Sequence, residues 1–242
     1  MTTFGPRRPA ARRLVSRWVG ALAAGAVALG LMVATPTAAH ADTAGNTALP
    51  TVQIDGVAWS QVVVGDRVYV AGSFTSARPA GASAGTNLTP RANLLAYDIT
   101  TGALIQSWAP TLNAQATAIA ASADGTRIFV GGDFTVANGA SRFRLAAFDA
   151  TTGALVPGFS AKADSRVRGL AVSGGVLYAG GSFTSANGVA RNRAAAFSTT
   201  DGALLTWAPV VNATVTTVAV APRAGGTQVL LGGWFTAING QA

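Results

Sequence analysis

Histidine, cysteine, glutamate and aspartate carry most acid–base, nucleophilic and metal chemistry in proteins. After residue 41 this chain has no histidine, no cysteine and no glutamate. Its one histidine, His40, lies in the leading segment. Ser-His-Asp and Cys-His arrangements are therefore excluded from the remainder, and so are zinc and copper centres of the usual ligand types. Aspartate alone is left. Asp98 and Asp149 each stand before x-Thr-Thr-Gly, and Asp124 stands before Gly125. An aspartate just ahead of a turn glycine usually caps its own backbone. Calcium needs several oxygens close together; the chain shows no dense acidic loop, and the candidates are Asp133 and Asp149. The expectation is a protein that is not an enzyme, with no catalytic, cofactor-binding or metal residues to assign.

Other residue types could recognise a ligand without transforming it. Arginines alternate at Arg142 and Arg144, Arg166 and Arg168, and Arg191 and Arg193. On a strand, a spacing of two puts each pair on one face. Arg142 and Arg191 recur at one place in a repeated pattern, which predicts a structural hydrogen bond or ion pair with the turn of the same unit. Asp149 is the expected partner of Arg142. The competing reading is a surface for an anionic ligand or a glycan. Trp59, Trp108, Trp207 and Trp234 could stack on sugars, but the periodic ones read as core. Trp234 is the exception, because it stands where related phrases carry Ser73, Asp133 and Ser182.

Those phrases are "VGGDFTVANG" at Val130 to Gly139, "AGGSFTSANG", "LGGWFTAING" and a looser "VAGSFTSARP". A phosphate loop would open a helix and carry a lysine after its glycines, and these do neither. Their phenylalanines, Phe74, Phe134, Phe183 and Phe235, are spaced by 60, 49 and 52 residues. A turn glycine before Ala-Leu recurs at Gly102, Gly153 and Gly202, and an aromatic follows at Trp108, Phe159 and Trp207. Three marks share a period near 50. The long first step is explained by an insertion between Phe74 and Arg91, so residues 76–90 read as a permissive loop.

Within a unit, short runs rich in Val, Ile, Leu and aromatics alternate with Gly- and Asp-containing turns. "ATAIAAS", "TRIFVGG", "RFRLAAFD" and "ALVPGFS" read as four strands of the second unit. Alanine is abundant, yet no stretch after residue 41 keeps a 3.6-residue period. Four short strands recurring at this period describe an all-β propeller built of four-stranded blades. The paired glycines Gly131-Gly132, Gly180-Gly181 and Gly232-Gly233 are then expected at close backbone approaches rather than at a ligand.

The units fall at about 51–111, 112–163, 164–211 and 212–242, after a segment at 42–50. The last unit stops before the arginine strand, which would begin at residue 243. The expectation is a propeller incomplete in this chain, the front of a longer protein or a truncated product. A self-associating partial ring and a four-blade ring completed by residues 51–54 are the alternatives. Residues 1–41 read as a secretory signal peptide: five arginines and no acid in the first 17 residues, an apolar run, then Ala39-His40-Ala41. That run is too short for a stable membrane span. Arg7-Arg8 and Arg12-Arg13 keep the twin-arginine route open beside the general one. Without residues 1–41 the formal charge falls from +8 to +3, with twelve basic residues against nine acidic, and no basic tract remains to suggest nucleic acid.

The pattern G-G-x-F-T-x-x-N-G, then R-x-x-L-A-x-F-D-x-x-T-G-A-L, then an aromatic, resembles the delta-60 repeat family of secreted bacterial β-propellers. More distantly it is similar to kelch and quinoprotein-type propellers. Unit two carries it most fully, with Phe134, Arg142, Leu145, Phe148, Asp149, Gly153 and Phe159; in unit three Ser198 replaces the acid. The resemblance implies architecture and an exported setting, with no general enzymatic activity. The expected role is a secreted or cell-surface scaffold for an unknown protein or glycan ligand. A display segment for downstream domains is the alternative. A hydrolase or lyase completed by further sequence ranks last.

Overall fold

A computed structural model of the chain describes residues 49–242, all within one compact unit, Asn46–Ala242. The segment read as a signal peptide, 1–41, lies outside the described residues. No helix forms among those described, so none there is long and apolar enough to cross a membrane.

Each repeat folds as an antiparallel blade. Blade 1 joins Val57–Val64 to Arg67–Ser73 and then Leu94–Asp98. Blade 2 joins Ala116–Ala121, Arg127–Gly132 and Leu145–Asp149. Blade 3 joins Val167–Ser173, Val176–Gly181 and Ala194–Ser198. Blade 4 pairs Val215–Arg223 with Gly226–Gly233. The fourth strand expected of each unit is present only as one bridge, Tyr97 with Leu104, Phe148 with Leu155 and Phe197 with Leu204. The first strands of successive blades pack against one another, and they form the inner wall. The fold is a β-propeller.

The third strand of each unit is shorter than its sequence suggested. Arg142 and Arg144 precede Leu145–Asp149 and sit in a loop, with Arg144 at φ 68°. Arg193 and Asn93 repeat that conformation at 68° and 69°. The left-handed turn aims the side chain back at the phrase that precedes it. Arg144 Nη1 donates to the Asp133 carbonyl and Arg193 Nη1 to the Ser182 carbonyl. In blade 1, Asn93 Oδ1 accepts from the Phe74 amide at 3.3 Å.

Blade faces alternate as a pleat requires. In blade 2, Ile128, Val130, Ala146 and Phe148 pack toward blade 1 around Tyr69 and Trp108. Phe129, Leu145 and Ala147 pack toward blade 3 around Phe159, Val167 and Leu177. Trp108 is fully buried, meets Tyr69 edge-on at 4.9 Å and donates to the Asp149 carbonyl at 3.1 Å. Phe159 meets Phe129 at 5.4 Å and Trp207 meets Tyr178 at 5.3 Å. Trp108 and Phe159 are core, as their spacing predicted, and Trp207 packs partly buried against the blade 4 cluster. Leu230, which takes the place of Phe129 in blade 4, is 49% exposed, because among the described residues no further sheet covers that face.

The repeated phrase is a structural device with two halves. A Cβ on Gly132 would stand 2.3 Å from the Gln115 carbonyl oxygen, and one on Gly181 2.2 Å from that of Arg166. A Cβ on Gly131 would meet Val167 of the next blade at 2.6 Å. The other half is a tight hairpin. Asn138-Gly139 and Asn187-Gly188 have φ of 44° and 76°, and 50° and 79°, as a type I′ turn demands. The asparagine also ties the hairpin to two other segments. Asn138 Oδ1 accepts from the Thr111 amide at 2.8 Å and its Nδ2 donates to the Gly153 carbonyl at 3.0 Å. Asn187 does the same with Lys162 and Gly202.

Candidate functional site

Each inner strand carries one β-bulge at the same place, between Ala58 and Ser60, Ala116 and Ala118, Val167 and Gly169, and Val215 and Thr217. A bulge leaves one residue unpaired and re-aims it. The unpaired residues are Trp59, Thr117, Arg168 and Thr216. They converge at one end of the axis, where with Gln115 and Arg166 they line a cavity of about 290 Å³.

A hydrogen-bonded chain runs round this mouth. Trp59 Nε1 donates to Gln115 Oε1 at 3.1 Å, and Gln115 Nε2 donates to Asp133 Oδ2 at 2.8 Å. Arg166 Nε donates to Asp133 Oδ1 at 2.5 Å, and its Nη2 forms an ion pair with Asp133 Oδ2. Arg168 Nε reaches Ser182 Oγ at 3.4 Å, and Ser182 Oγ lies 3.3 Å from Thr214 Oγ1. The Arg168 guanidinium sits 5.7 Å from the centre of the Trp234 ring, within cation–π range. Asp133, Ser182 and Trp234 all occupy the variable position of the G-G-x-F phrase, so that position reports to the mouth in three blades.

Charge at the mouth is unevenly balanced. Burial pushes the Asp133 carboxyl up, but the bonds from Arg166 and Gln115 and the charges of Arg166 and Arg144 outweigh it, so Asp133 stays below the usual carboxylate range. Arg166 is thus neutralised. Burial, and then the charge of Arg166, push the Arg168 guanidinium down, and Asp133 only partly offsets this. Arg168 pairs with no carboxylate among the described residues.

The other expected site residues are placed elsewhere. Asp98 and Asp149 cap their own turns. Asp149 Oδ1 accepts from Thr151 N, Thr152 N and Thr152 Oγ1 at 2.7–2.9 Å, and Asp98 repeats this with Thr100 and Thr101. Asp149 is therefore not the partner of Arg142, contrary to expectation. Arg142 Nη1 donates to the Ser141 carbonyl at 2.9 Å. Its counterpart Arg191 reaches the Ala190 and Leu205 carbonyls, and Arg91 those of Pro90 and Gln106. The aspartate is already filled by its turn, so the arginine satisfies carbonyls instead. Both calcium candidates are committed, Asp149 to its turn and Asp133 to Arg166. Among the described residues no three acidic or metal-binding side chains cluster.

Two recurring roles escaped the sequence reading. Asp55, Asn113, Asp164 and Asn212 accept from the amides of Thr75, Thr135, Thr184 and Thr236 at 2.8–3.0 Å, locking each phrase to the start of its own blade. The signal was an Asp or Asn at a period near 50, hidden by the mixture of the two types. Arg67 and Arg127 each cross to the next blade, to the carbonyls of Ala150 at 3.2 Å and of Thr199 and Thr200 at 2.8 and 2.6 Å. Val176 and Gln228 stand at that position in blades 3 and 4, so no repeat of the arginine marked it.

Residues 123–155, from the turn before Arg127–Gly132 to the Leu155 bridge of blade 2, match the family described as a β-propeller domain of unknown function, DUF5122. No curated protein matches the chain. Among solved structures, the computationally designed Ika4 protein is 15% identical, with a TM-score of 0.50 over 78% of this chain and 99% of that one. The protein U3-55K is 13% identical with a TM-score of 0.48, over 74% of this chain and 52% of its own. The WD40 repeats of RRP9 are 12% identical with a TM-score of 0.48, over 76% and 55%. The chain thus spans about half the length of those last two. The likeness to the designed protein is one of fold alone. Blade topology and the match over blade 2 together make this chain a β-propeller repeat protein.

Proposed function

We propose that this protein is an exported, non-enzymatic binding scaffold whose ligand is taken at the axial mouth. The observation that carries the reading is the convergence of four bulge residues, one per blade, on a single cavity bordered by Trp234. Blade cores explain the periodic residues; they leave Trp59 and Trp234 unexplained, at 54% and 71% exposed. Large exposed aromatics beside a cation are characteristic of binding surfaces. Turnover is disfavoured because the one carboxylate at the mouth among the described residues, Asp133, is engaged by Arg166 and Gln115 and held below the usual carboxylate range. The arginine-rich leader of residues 1–17 supports export, and the pattern shared with secreted propellers supports an extracellular or cell-surface setting.

The test uses the mature secreted chain and a Trp59→Ala/Arg168→Gln double variant, immobilised side by side and exposed to a glycan array and to purified cell-surface protein. Retention by the native chain that the double variant loses supports the reading. Equal retention by both, or none by either, overturns it. A display role is the second reading. It is favoured by the edge of Gly226–Gly233, which among the described residues pairs on one side only and offers backbone to a further strand.

A further inference from the structure

Resting on the binding role just proposed, we infer that the axial mouth takes an acidic sugar, its carboxylate on Arg168 and its ring against Trp234 and Trp59. Three observations meet here. First, Arg168 spends only Nε within the protein, on Ser182 Oγ at 3.4 Å. Both terminal nitrogens remain available for a planar carboxylate, the geometry that a guanidinium fork matches best. Its neighbour Arg166 is consumed by Asp133, so the mouth holds one uncompensated positive charge. Second, the two exposed indoles come from opposite ends of the arc, blade 1 and blade 4. Trp59 lines the cavity and Trp234 borders it across Arg168, and exposed indoles suit the C–H face of a pyranose better than a bare anion. Third, the threonines of the mouth donate inward. Thr117 Oγ1 donates to the Val167 carbonyl at 2.5 Å and Thr216 Oγ1 to the Gly232 carbonyl at 3.2 Å. Their oxygens are left as acceptors, complementary to sugar hydroxyl donors. The cavity of about 290 Å³ matches the lower end of ligand pockets, roughly 300 Å³, so one sugar unit at a time is engaged.

Alternative occupants fit less well. A free inorganic anion would use Arg168 and ignore both indoles. A neutral sugar would leave the charge of Arg168 unanswered. An acidic peptide offers backbone N–H groups to the threonine acceptors but brings no pyranose face to the indoles.

Calorimetry and tryptophan fluorescence on the mature chain decide the matter, with trigalacturonate, its methyl ester, maltotriose and acetate as probes. Trigalacturonate should bind and quench, at least about 10-fold tighter than the ester, since a charge-assisted bond is worth about 1.5–3 kcal/mol. Arg168→Gln should abolish that preference for acid over ester, and Trp234→Ala should weaken both ligands together. Arg223→Gln, on an exposed hairpin outside the mouth, should change nothing. Near-ultraviolet circular dichroism verifies that each variant is folded. Equal affinity for acid and ester overturns the carboxylate assignment. Binding of acetate as tight as trigalacturonate overturns the sugar. Retention of acid binding by Arg168→Gln overturns the site. If no saccharide binds while a surface protein is retained in a mouth-dependent way, the acidic-sugar inference fails and the binding role stands; if neither is retained, both fail.

Discussion

Replacing Gly132 by alanine should destabilise the protein by about 2–4 kcal/mol, though one methyl group is all that is added. The φ of Gly132 is not in the left-handed region, so the cost is steric alone. The new Cβ would stand 2.3 Å from the Gln115 carbonyl oxygen and 2.9 Å from Ala116 Cα. Both are backbone atoms beside a bulge and cannot rotate away. Overpacking of this kind costs about 1–3 kcal/mol. The same carbonyl accepts the Asp133 amide at 3.0 Å, and displacing it would weaken that bond, worth about 1 kcal/mol. Two other glycines calibrate the result. Gly139 has open space around it but a φ of 76°, so alanine there should cost about 1–2 kcal/mol through backbone strain alone. Gly158 has open space and no positive φ, so alanine should be neutral or stabilise by up to about 1 kcal/mol. Urea denaturation of the three variants, followed by tryptophan fluorescence, gives the order directly. For a unit of this size each kcal/mol corresponds to about 2–4 °C in Tm. Gly132→Ala within about 0.5 kcal/mol of the native chain, or less harmful than Gly139→Ala, would refute the close-approach account of the repeated phrase.

Asn138→Ala removes two side-chain bonds from the hairpin and places alanine at φ 44°, and should lower stability by about 2–3 kcal/mol in the same assay. Tyr69→Phe removes the 2.6 Å bond to the Ala150 carbonyl, but Arg67 also serves that oxygen, so the loss should stay near 1 kcal/mol, while Arg67→Ala/Tyr69→Phe should lose more than the two single changes together. Stability should be flat from pH 5 to 8, because no histidine or glutamate lies among the described residues. Below that it should fall: Asp124 is held at about 2 by Ser122 and Thr126 hydrogen bonds, and a carboxyl depressed in the folded state stabilises above its ordinary pKa of 3.8 and loses this as pH drops through 2. Asp55, held down by Thr75 and Ser76, acts in the same direction, so a pH series of urea midpoints should decline below about pH 4.

Repetition made the fold legible from residues alone. Three marks at one period, with strand-length apolar runs and Asn-Gly turns, are local features, and every blade restates them. The core aromatics and the close-packed glycines follow from the same logic, since a position repeated in each blade must serve what each blade needs. Sequence proximity points Arg142 to Asp149, but the Thr-Thr-Gly turn fills that carboxylate, so the arginine turns to carbonyls instead.

The mouth was not legible, although some of its parts stood out. Trp234 stands out as a departure from the repeat, and Arg166 and Arg168 as one of three alternating arginine pairs, yet nothing in the chain ties them to Trp59, Gln115 or Asp133. Those residues meet for two reasons that exist only in three dimensions. A bulge in each inner strand, which no residue type here announces, turns one side chain out of the ladder and toward the axis. Stacking of successive blades then brings those four side chains to a common point. Composition and period determine that the chain makes blades; the register slip inside each inner strand decides which side chains face the axial mouth.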